Sequence, residues 1–272
     1  MFHMTAMPAD ARSLLGIWYL GQESIVLDHM GCRIAIDPYL TDYVDKNCST
    51  DTVHWQRNYP SPVTPAQLAP ELHYVFCTHS HYDHTDPWTI PVLAKENPSL
   101  QFVASRAFAE ELTKLGVSEK QILPVDAGKV YELPTFSFVG IPAAHEELHP
   151  TDLGYAELSF RFTFGGGTTV FHGGDCCMYD GLVEAIGHAD VMCLPVNGRS
   201  YFKRYEDDII GNLTAEEAVV LSEKVGAELL IPLHYDLYSN NGLPASDFVN
   251  AVWHSKLRYH MFRPGERMLY CK

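Results

Sequence analysis

Three imidazoles and one carboxylate lie within six residues of this chain, in the stretch Thr78-His79-Ser80-His81-Tyr82-Asp83-His84. The apolar run 74–77 precedes them, a pattern that predicts a buried strand ending in a loop. Alternate side chains of an extended segment point the same way, so His79 and His81 could bind one ion together. The turn that follows would direct Asp83 and His84 to a second point nearby.

Imidazole and carboxylate together suit zinc, manganese or iron, and paired ions in hydrolytic sites lie roughly 3.5–4 Å apart. The alternative is a polar loop whose histidines are solvated, which would be the better interpretation of a single histidine. Four potential ligands at this spacing favour a metal site.

Ligand-type residues also follow three other apolar runs: His145 after 141–144, Asp175 after a glycine pair, and His234 after 228–233. Four strand ends that carry such residues imply one shared rim above the sheets. Asp37 follows another predicted strand and could orient a metal-binding imidazole from behind. An ordinary turn aspartate before a proline is an equally good interpretation of Asp37.

The elements that must position these residues are short strands and helices. Strands are predicted at 17–20, 24–27 and 33–36, and a hairpin at 155–171 turns at its three glycines. Helices are predicted from Thr89 to Asn97, from Ser105 to Leu115, and from the capping box at Thr214 to about Val225. Because no repeat or linker interrupts the chain, we predict a single domain over residues 1–272.

The segment from Tyr43 to Pro70 is long, carries four prolines and shows no periodic pattern. Loops of this length in compact domains are often functional. We predict that it forms a wall or lid beside the site, with Trp55, Arg57 and Tyr59 as substrate contacts. For each of these residues alone, plain covering of the surface is the alternative.

The chain has 272 residues and a net charge of −15, which argues against binding nucleic acid or an anionic membrane. Met1–Pro8 lacks the features of a secretory signal, and no apolar run is long enough to span a bilayer. Seven cysteines without a C-x-x-C pair indicate reduced thiols and hence a cytoplasmic location.

The order HxHxDH, then His, then Gly-Asp, then His resembles the metallo-β-lactamase superfamily of dinuclear hydrolases. Within that superfamily, four segments resemble the L-ascorbate-6-phosphate lactonase-like branch: Asp37–Asp42, Thr78–His84, His172–Asp175 and Pro232–Asn240. The resemblance runs from about Ile17 to Asn250. It implies an α/β fold, an αββα four-layer sandwich, with the metals between the edges of two sheets.

The resemblance also implies a ligand set for two divalent ions, Mn²⁺ or Zn²⁺. His79, His81 and His145 would hold one ion, whereas Asp83, His84 and His234 would hold the other. Asp175 would bridge the two ions. Asp83 and Asp175 are the predicted catalytic residues.

Three side chains near this set have two interpretations. Cys176 and Cys177 directly follow Asp175 and could be buried thiols or soft ligands that favour zinc. His149 could contact the site or be a solvated loop histidine.

A hydroxide that bridges two divalent ions forms near neutral pH, because coordination lowers the pKa of water to about 7 in favourable cases. We therefore predict a dinuclear metal-dependent hydrolase of a small anionic lactone or ester, with metal-bound hydroxide as the nucleophile. A metal-dependent phosphodiesterase is the first alternative, since a two-metal site also supports attack on phosphorus. A non-catalytic metal-binding protein is the second.

Three cations follow the predicted strand that ends at Val196, and we predict that they bind the negative group of the substrate: Arg199, Lys203 and Arg204. The alternative is that they balance the acidic residues 206–208 on a solvated loop. Tyr235 and Asn240 are also predicted to contact the substrate. The expected partners are thus a small anionic substrate and neither nucleic acid nor membrane, with a homo-oligomer as a possible assembly.

Overall fold

Alternate side chains of the first strand, β1 (Leu14–Gly21), enter two different apolar layers. Ile17 and Tyr19 belong to one buried cluster, whereas Trp18 and Leu20 belong to another. A strand that is buried on both faces requires a sheet that is covered on both sides. The computed structural model describes residues 14–272; Met1–Pro8, predicted not to be a secretory signal, lies outside that range.

The first sheet has seven strands. The other six are β2 (Ser24–His29), β3 (Cys32–Ile36), β4 (Tyr74–Phe76), β5 (Gln101–Ser105), β6 (Ile122–Val125) and β16 (Arg267–Cys271). The order is β16-β1-β2-β3-β4-β5-β6. Pairing is antiparallel from β16 to β3 and parallel from β3 to β6.

The second sheet also has seven strands. They are β7 (Val130–Glu132), β8 (Phe136–Pro142), β11 (Leu158–Phe164), β12 (Thr169–His172), β13 (Val191–Pro195), β14 (Leu229–Leu233) and β15 (Arg258–Tyr259). The order is β15-β14-β13-β12-β11-β8-β7, parallel from β15 to β12 and antiparallel beyond. Two short strands, β9 (Pro150–Thr151) and β10 (Gly154–Tyr155), pair only with each other.

A cluster of phenylalanines fills the space between the two sheets. The ring of Phe76 in β4 packs edge-on against Phe138, Phe160 and Phe162 of the second sheet, with ring centroids 4.8–5.0 Å apart. Edge-to-face aromatic pairs stabilise a core beyond the area that they bury. This core lies directly behind the loop that carries His79 and fixes where that loop begins.

Helices cover the outer faces of both sheets. On the first sheet, α2 (Pro65–Leu68), α3 (Ile90–Glu96) and α4 (Ala109–Lys114) share a buried cluster with Trp18. On the second sheet, α5 (Leu182–Ile186), α7 (Ala215–Lys224) and α8 (Ala245–Val252) share another. The predicted αββα sandwich is therefore confirmed. The remaining helices are α1 (Tyr43–Asn47) and α6 (Tyr201–Tyr205), and single 3₁₀ turns lie at 69–71, 119–121 and 165–167.

Most predicted elements are present, including the hairpin of β11 and β12 and the capping box of α7. The helix predicted from Ser105 begins later, at Ala109. Ser105 is the last residue of β5, and its hydroxyl accepts a hydrogen bond from the Phe108 N–H at 3.1 Å, so the hydroxyl closes a turn before the helix. The segment predicted to be irregular, 43–70, contains α1 and α2.

No helix within residues 14–272 is long and apolar enough to cross a membrane. The single domain over residues 1–272 stays a prediction.

Phe162 is fully buried and contacts Phe76 with ring centroids 4.8 Å apart. Because its removal leaves a cavity between two sheets, Phe162→Ala should lower the free energy of unfolding by about 3–5 kcal/mol. Urea unfolding of the metal-free protein measures this loss. Leu269→Ala in β16 is the control, because that side chain is 54% exposed and should change stability little. A loss below about 1 kcal/mol for Phe162→Ala would contradict the description of this core.

Candidate metal centre

All seven predicted metal ligands converge at one edge of the sandwich, and each follows a strand end. His79, His81, Asp83 and His84 lie in the loop after β4. His145 follows β8, Asp175 follows β12, and His234 follows β14. The structure therefore brings together strand ends from both sheets.

The first group consists of His79, His81, His145 and Asp175, each of which offers one ligand atom within 4.8 Å of the others. His145 Nε2 lies 3.0 Å from His81 Nδ1 and 3.4 Å from Asp175 Oδ2. These separations allow four donor atoms to surround one point.

The second group consists of Asp83, His84 and His234, whose ligand atoms also lie within 4.8 Å of one another. Asp175 faces this group through its other oxygen: Oδ1 lies 3.2 Å from His84 Nε2 and 3.6 Å from His234 Nε2. One carboxylate thus presents a separate oxygen to each group, which is the geometry that a bridging ligand requires.

Three buried ligand-type atoms of the two groups have no hydrogen-bond partner, although two of them, His84 Nε2 and Asp175 Oδ1, form the 3.2 Å ion pair described above. His79 Nε2, His84 Nε2 and Asp175 Oδ1 are buried and make no hydrogen bond to any residue in the described range. Buried polar atoms without partners are uncommon and call for an explanation such as an ion. Because imidazole nitrogens and carboxylate oxygens suit zinc, manganese and iron, the residues present fit a bound divalent metal.

The protonation states at this edge also favour metal binding. Despite burial, the charge of the His84 ring holds the pKa values of the Asp83 and Asp175 carboxyls below their usual range. Burial lowers the pKa of His145 to about 4 and that of His79 well below its usual value. These four groups are therefore in their ligand forms at neutral pH.

His84 differs from the other histidines. Burial alone would lower its pKa, but three surrounding carboxylates, Asp175, Asp83 and Asp37, raise it well above the usual value. A protonated imidazole then supplies the positive charge that these carboxylates need. A metal ion at this position would replace that proton.

Asp37 holds the ligand loop from behind, as its position at a strand end suggested. Its Oδ2 lies 2.8 Å from His84 Nδ1 and accepts a hydrogen bond from the Thr78 hydroxyl at 2.6 Å. Its Oδ1 accepts the Thr78 N–H at 2.8 Å. Asp37 also lies close to His79 and His84 as a potential ligand set. Since its oxygens already have these partners, we assign it to orientation of the His84 ring.

Gln22 and His172 were not among the predicted site residues. The Gln22 side-chain nitrogen lies 2.8 Å from Asp83 Oδ2 and 3.0 Å from His234 Nε2, so it connects two candidate ligands. His172 Nδ1 accepts the Gly174 N–H at 3.1 Å, which fixes the turn before Asp175. No local pattern marks Gln22, whereas the short spacing between His172 and Asp175 was a usable signal.

Backbone strain also concentrates here. Gln22, Asp37 and His234 have φ angles of 57°, 45° and 56°, a region that residues other than glycine seldom adopt. Such conformations persist where surrounding contacts enforce them, often at functional sites. Gly174 has a φ of 54°, and a Cβ there would lie 2.8 Å from Thr78 Cβ, so this close approach requires glycine.

A cavity of about 760 Å³ opens onto the two ligand groups. Six of the seven candidate ligands line it; His84 lies behind them. Val44, Cys48 and Trp55 also line it, which agrees with the predicted role of segment 43–70 as a wall. The other two residues predicted from that segment point elsewhere: Arg57 lies over the Tyr39 ring, and the Tyr59 hydroxyl donates to Asp236 Oδ1 at 2.6 Å.

None of the five predicted substrate-binding residues is among those that line this cavity. Arg199 donates to Glu217 Oε2 at 2.7 Å, and Lys203 donates to the Asn197 carbonyl at 2.8 Å; both line a separate cavity. Arg199 lies away from the cavity because it is paired with Glu217, which belongs to the first turn of α7 in the outer helical layer. Their predicted contact with the substrate is not supported by this placement.

The other three predicted contacts also have partners of their own. Arg204 does not line the cavity; it lies 2.9 Å from Glu146 Oε2 and 3.0 Å from Oδ1 of Asp208, a residue that does line it. The Tyr235 hydroxyl donates to the Phe262 carbonyl at 2.8 Å, and the Asn240 amide lies 3.5 Å from the His54 carbonyl. The neighbouring Asn241 lines the cavity instead.

The structure also locates the three residues for which the sequence allowed two interpretations, Cys176, Cys177 and His149. Cys176 and Cys177 are buried, Cys176 within the apolar layer outside the second sheet, and burial raises the pKa of both thiols. They belong to neither ligand group. His149 is half-exposed, with Nδ1 3.2 Å from Glu157 Oε1.

Comparison with known proteins agrees with this geometry. Residues 33–235 match the family model described as the beta-lactamase superfamily domain. The chain belongs to the beta-lactamase superfamily. The match contains the four strand ends that carry the candidate ligands.

Relatives of this superfamily member resemble it over nearly its full length. A UPF0173 metal-dependent hydrolase from Saccharolobus solfataricus is 25% identical over 91% of this chain and 96% of its own. Two solved structures share the fold. A metallo hydrolase from Ignicoccus hospitalis superposes with a TM-score of 0.71 at 19% identity, over 94% of this chain and 98% of its own. An isothiocyanate hydrolase from Delia radicum gut bacteria superposes with a TM-score of 0.75 at 15% identity, over 94% of this chain and 99% of its own. The predicted superfamily and fold are confirmed, and the predicted enzyme class is the one named for these relatives.

We expect Asp37→Asn to weaken metal binding by about 10–100-fold, because it removes the charge that orients the His84 ring. Competition with a chelator measures the affinity. Asp190→Asn is a matched control, since Asp190 is equally buried and accepts the Thr169 N–H at 2.7 Å but lies outside both ligand groups. Equal losses of affinity in the two variants would contradict a specific role for Asp37.

Proposed function

We propose that this superfamily member is a metal-dependent hydrolase that holds two divalent ions, manganese or zinc, and cleaves a small lactone or ester. The L-ascorbate-6-phosphate lactonase-like branch suggested by the sequence is the working model for its reaction type, the cleavage of a lactone ring. The observation that carries the proposal is the position of Asp175, whose two oxygens face two separate groups of ligand atoms.

Bound divalent ions would activate a water molecule and polarise the carbonyl of the substrate. The residues of the chain position these reactants. Asp83 and Asp175 are predicted to be the catalytic residues, since both line the cavity and remain ionised at neutral pH. Gln22 fixes Asp83 through the 2.8 Å contact and keeps its carboxylate directed at the second group.

The shape of the cavity supports a small substrate. A volume of about 760 Å³ lies in the range typical of small-molecule sites. The predicted anionic group would have to be bound by residues other than Arg199 and Lys203, which line a separate cavity. A cytoplasmic location and a homo-oligomeric assembly stay predictions.

A phosphodiesterase would use the same ligand groups, since paired ions also support attack on phosphorus. No residue of the described chain that lines the cavity is a lysine or arginine, so no side-chain cation there favours a phosphate group. A non-catalytic metal-binding protein would not need a cavity that opens onto its ions. We therefore place the lactone or ester first.

The test is a panel of lactones, carboxylic esters and phosphodiesters, assayed with the manganese- and zinc-loaded protein. We expect lactone or ester hydrolysis, and a fall in kcat/KM of at least about 100-fold in His81→Ala, because a direct ligand should matter at least as much as the residues that orient ligands. His254→Ala is the control, an exposed histidine outside both ligand groups.

Thermal unfolding of the metal-free variants separates chemistry from folding. His81 lies at the exposed rim, so His81→Ala should unfold near the wild-type temperature. Hydrolysis confined to the phosphodiesters would favour the phosphodiesterase, and a fully loaded protein that cleaves nothing in the panel would refute the proposal.

A further inference from the structure

The wall of the cavity beyond the candidate ligands carries only negative formal charge. Its charged residues are Glu111, Glu157 and Asp208, and no lysine or arginine of residues 14–272 lines it. Two of these carboxylates are neutralised by neighbours: Glu111 lies 2.8 Å from Lys114 Nζ, and Asp208 lies 3.0 Å from Arg204 Nη1. Glu157 has neither a lysine nor an arginine partner among the ion pairs of the described chain.

Glu157 is held close to the candidate ligands. Its backbone carbonyl accepts the Ala143 N–H at 3.1 Å, two residues before His145. Its side chain is 17% exposed. One oxygen lies 3.2 Å from the half-exposed His149, whereas the other, Oε2, is buried and has no hydrogen-bond partner within the described residues. The charge of the Glu157 carboxylate is therefore only partly compensated within the described residues, which favours a ligand that places a positive charge or a hydrogen-bond donor beside it.

Aromatic side chains supply the apolar part of the same wall. Trp55, Tyr82 and Phe108 line the cavity together with Glu157. Aromatic faces bind apolar groups and attract cations. The negative charge of Glu157 and the aromatic surface beside it therefore both favour a ligand that is apolar and not anionic.

We propose that Glu157 determines substrate specificity, and that the part of the ester or lactone away from the reacting carbonyl is apolar and either cationic or a neutral hydrogen-bond donor. This inference rests on the proposed hydrolase function. It differs from the anionic substrate predicted from the sequence, because the cations behind that prediction are bound to other residues.

The experiment compares three phenyl esters of matched size that carry a carboxylate, a carboxamide or a trimethylammonium group in the para position. With the metal-loaded full chain, kcat/KM for the cationic ester should exceed that for the anionic ester by at least about 10-fold, because like charges placed together are strongly disfavoured. Glu157→Gln should reduce that ratio at least about fivefold, whereas Glu157→Asp, which keeps the charge, should retain the order. Glu110→Gln is the control, an exposed acid beside Glu111 that does not line the cavity.

Binding of the corresponding amides, measured by calorimetry, separates this inference from the proposed function. If neither these esters nor any compound of the lactone, ester and phosphodiester panel is hydrolysed, the hydrolase proposal fails, whereas the preference for charge is still measured by the three dissociation constants. Equal or tighter binding of the anionic amide would overturn the role of Glu157. A charge order that is unchanged in a folded Glu157→Gln variant would overturn it as well.

Discussion

The carboxylate of Asp175 lies between two groups of imidazoles, with His84 on one side and His145 on the other. Placing these groups together away from water is unfavourable unless a positive charge joins them. In the metal-free protein, the proton on His84 supplies part of that charge. A divalent ion in each group would supply the rest, so metal binding should stabilise the fold as well as enable chemistry.

The two sheets make this arrangement possible. The aromatic core behind Phe76 fixes the end of β4, and the hairpin of β11 and β12 delivers Asp175 from the opposite sheet. Asp37 and Gln22 then fix individual side chains through hydrogen bonds of 2.6–2.8 Å. Both have left-handed backbone conformations, so part of the stability of the core offsets strain at the site.

The sequence predicted what is local or repeated along the chain. The cluster 79–84 was predicted because its ligands are neighbours, and the resemblance to a known superfamily joined it to His145, Asp175 and His234. Gln22 could not be predicted, since its contact with Asp83 spans 61 residues and leaves no periodic signal. The same limit explains Arg199. Its cationic side chain was apparent, but its partner Glu217 belongs to a helix whose placement only the folded structure reveals.

The most direct measurement of the central claim is anomalous X-ray scattering from crystals of the manganese-loaded protein, combined with elemental analysis of the same sample. We predict two ions per chain, roughly 3.5–4 Å apart, with one oxygen of Asp175 on each. One ion per chain, or two ions of which Asp175 contacts only one, would contradict a bridged dinuclear centre.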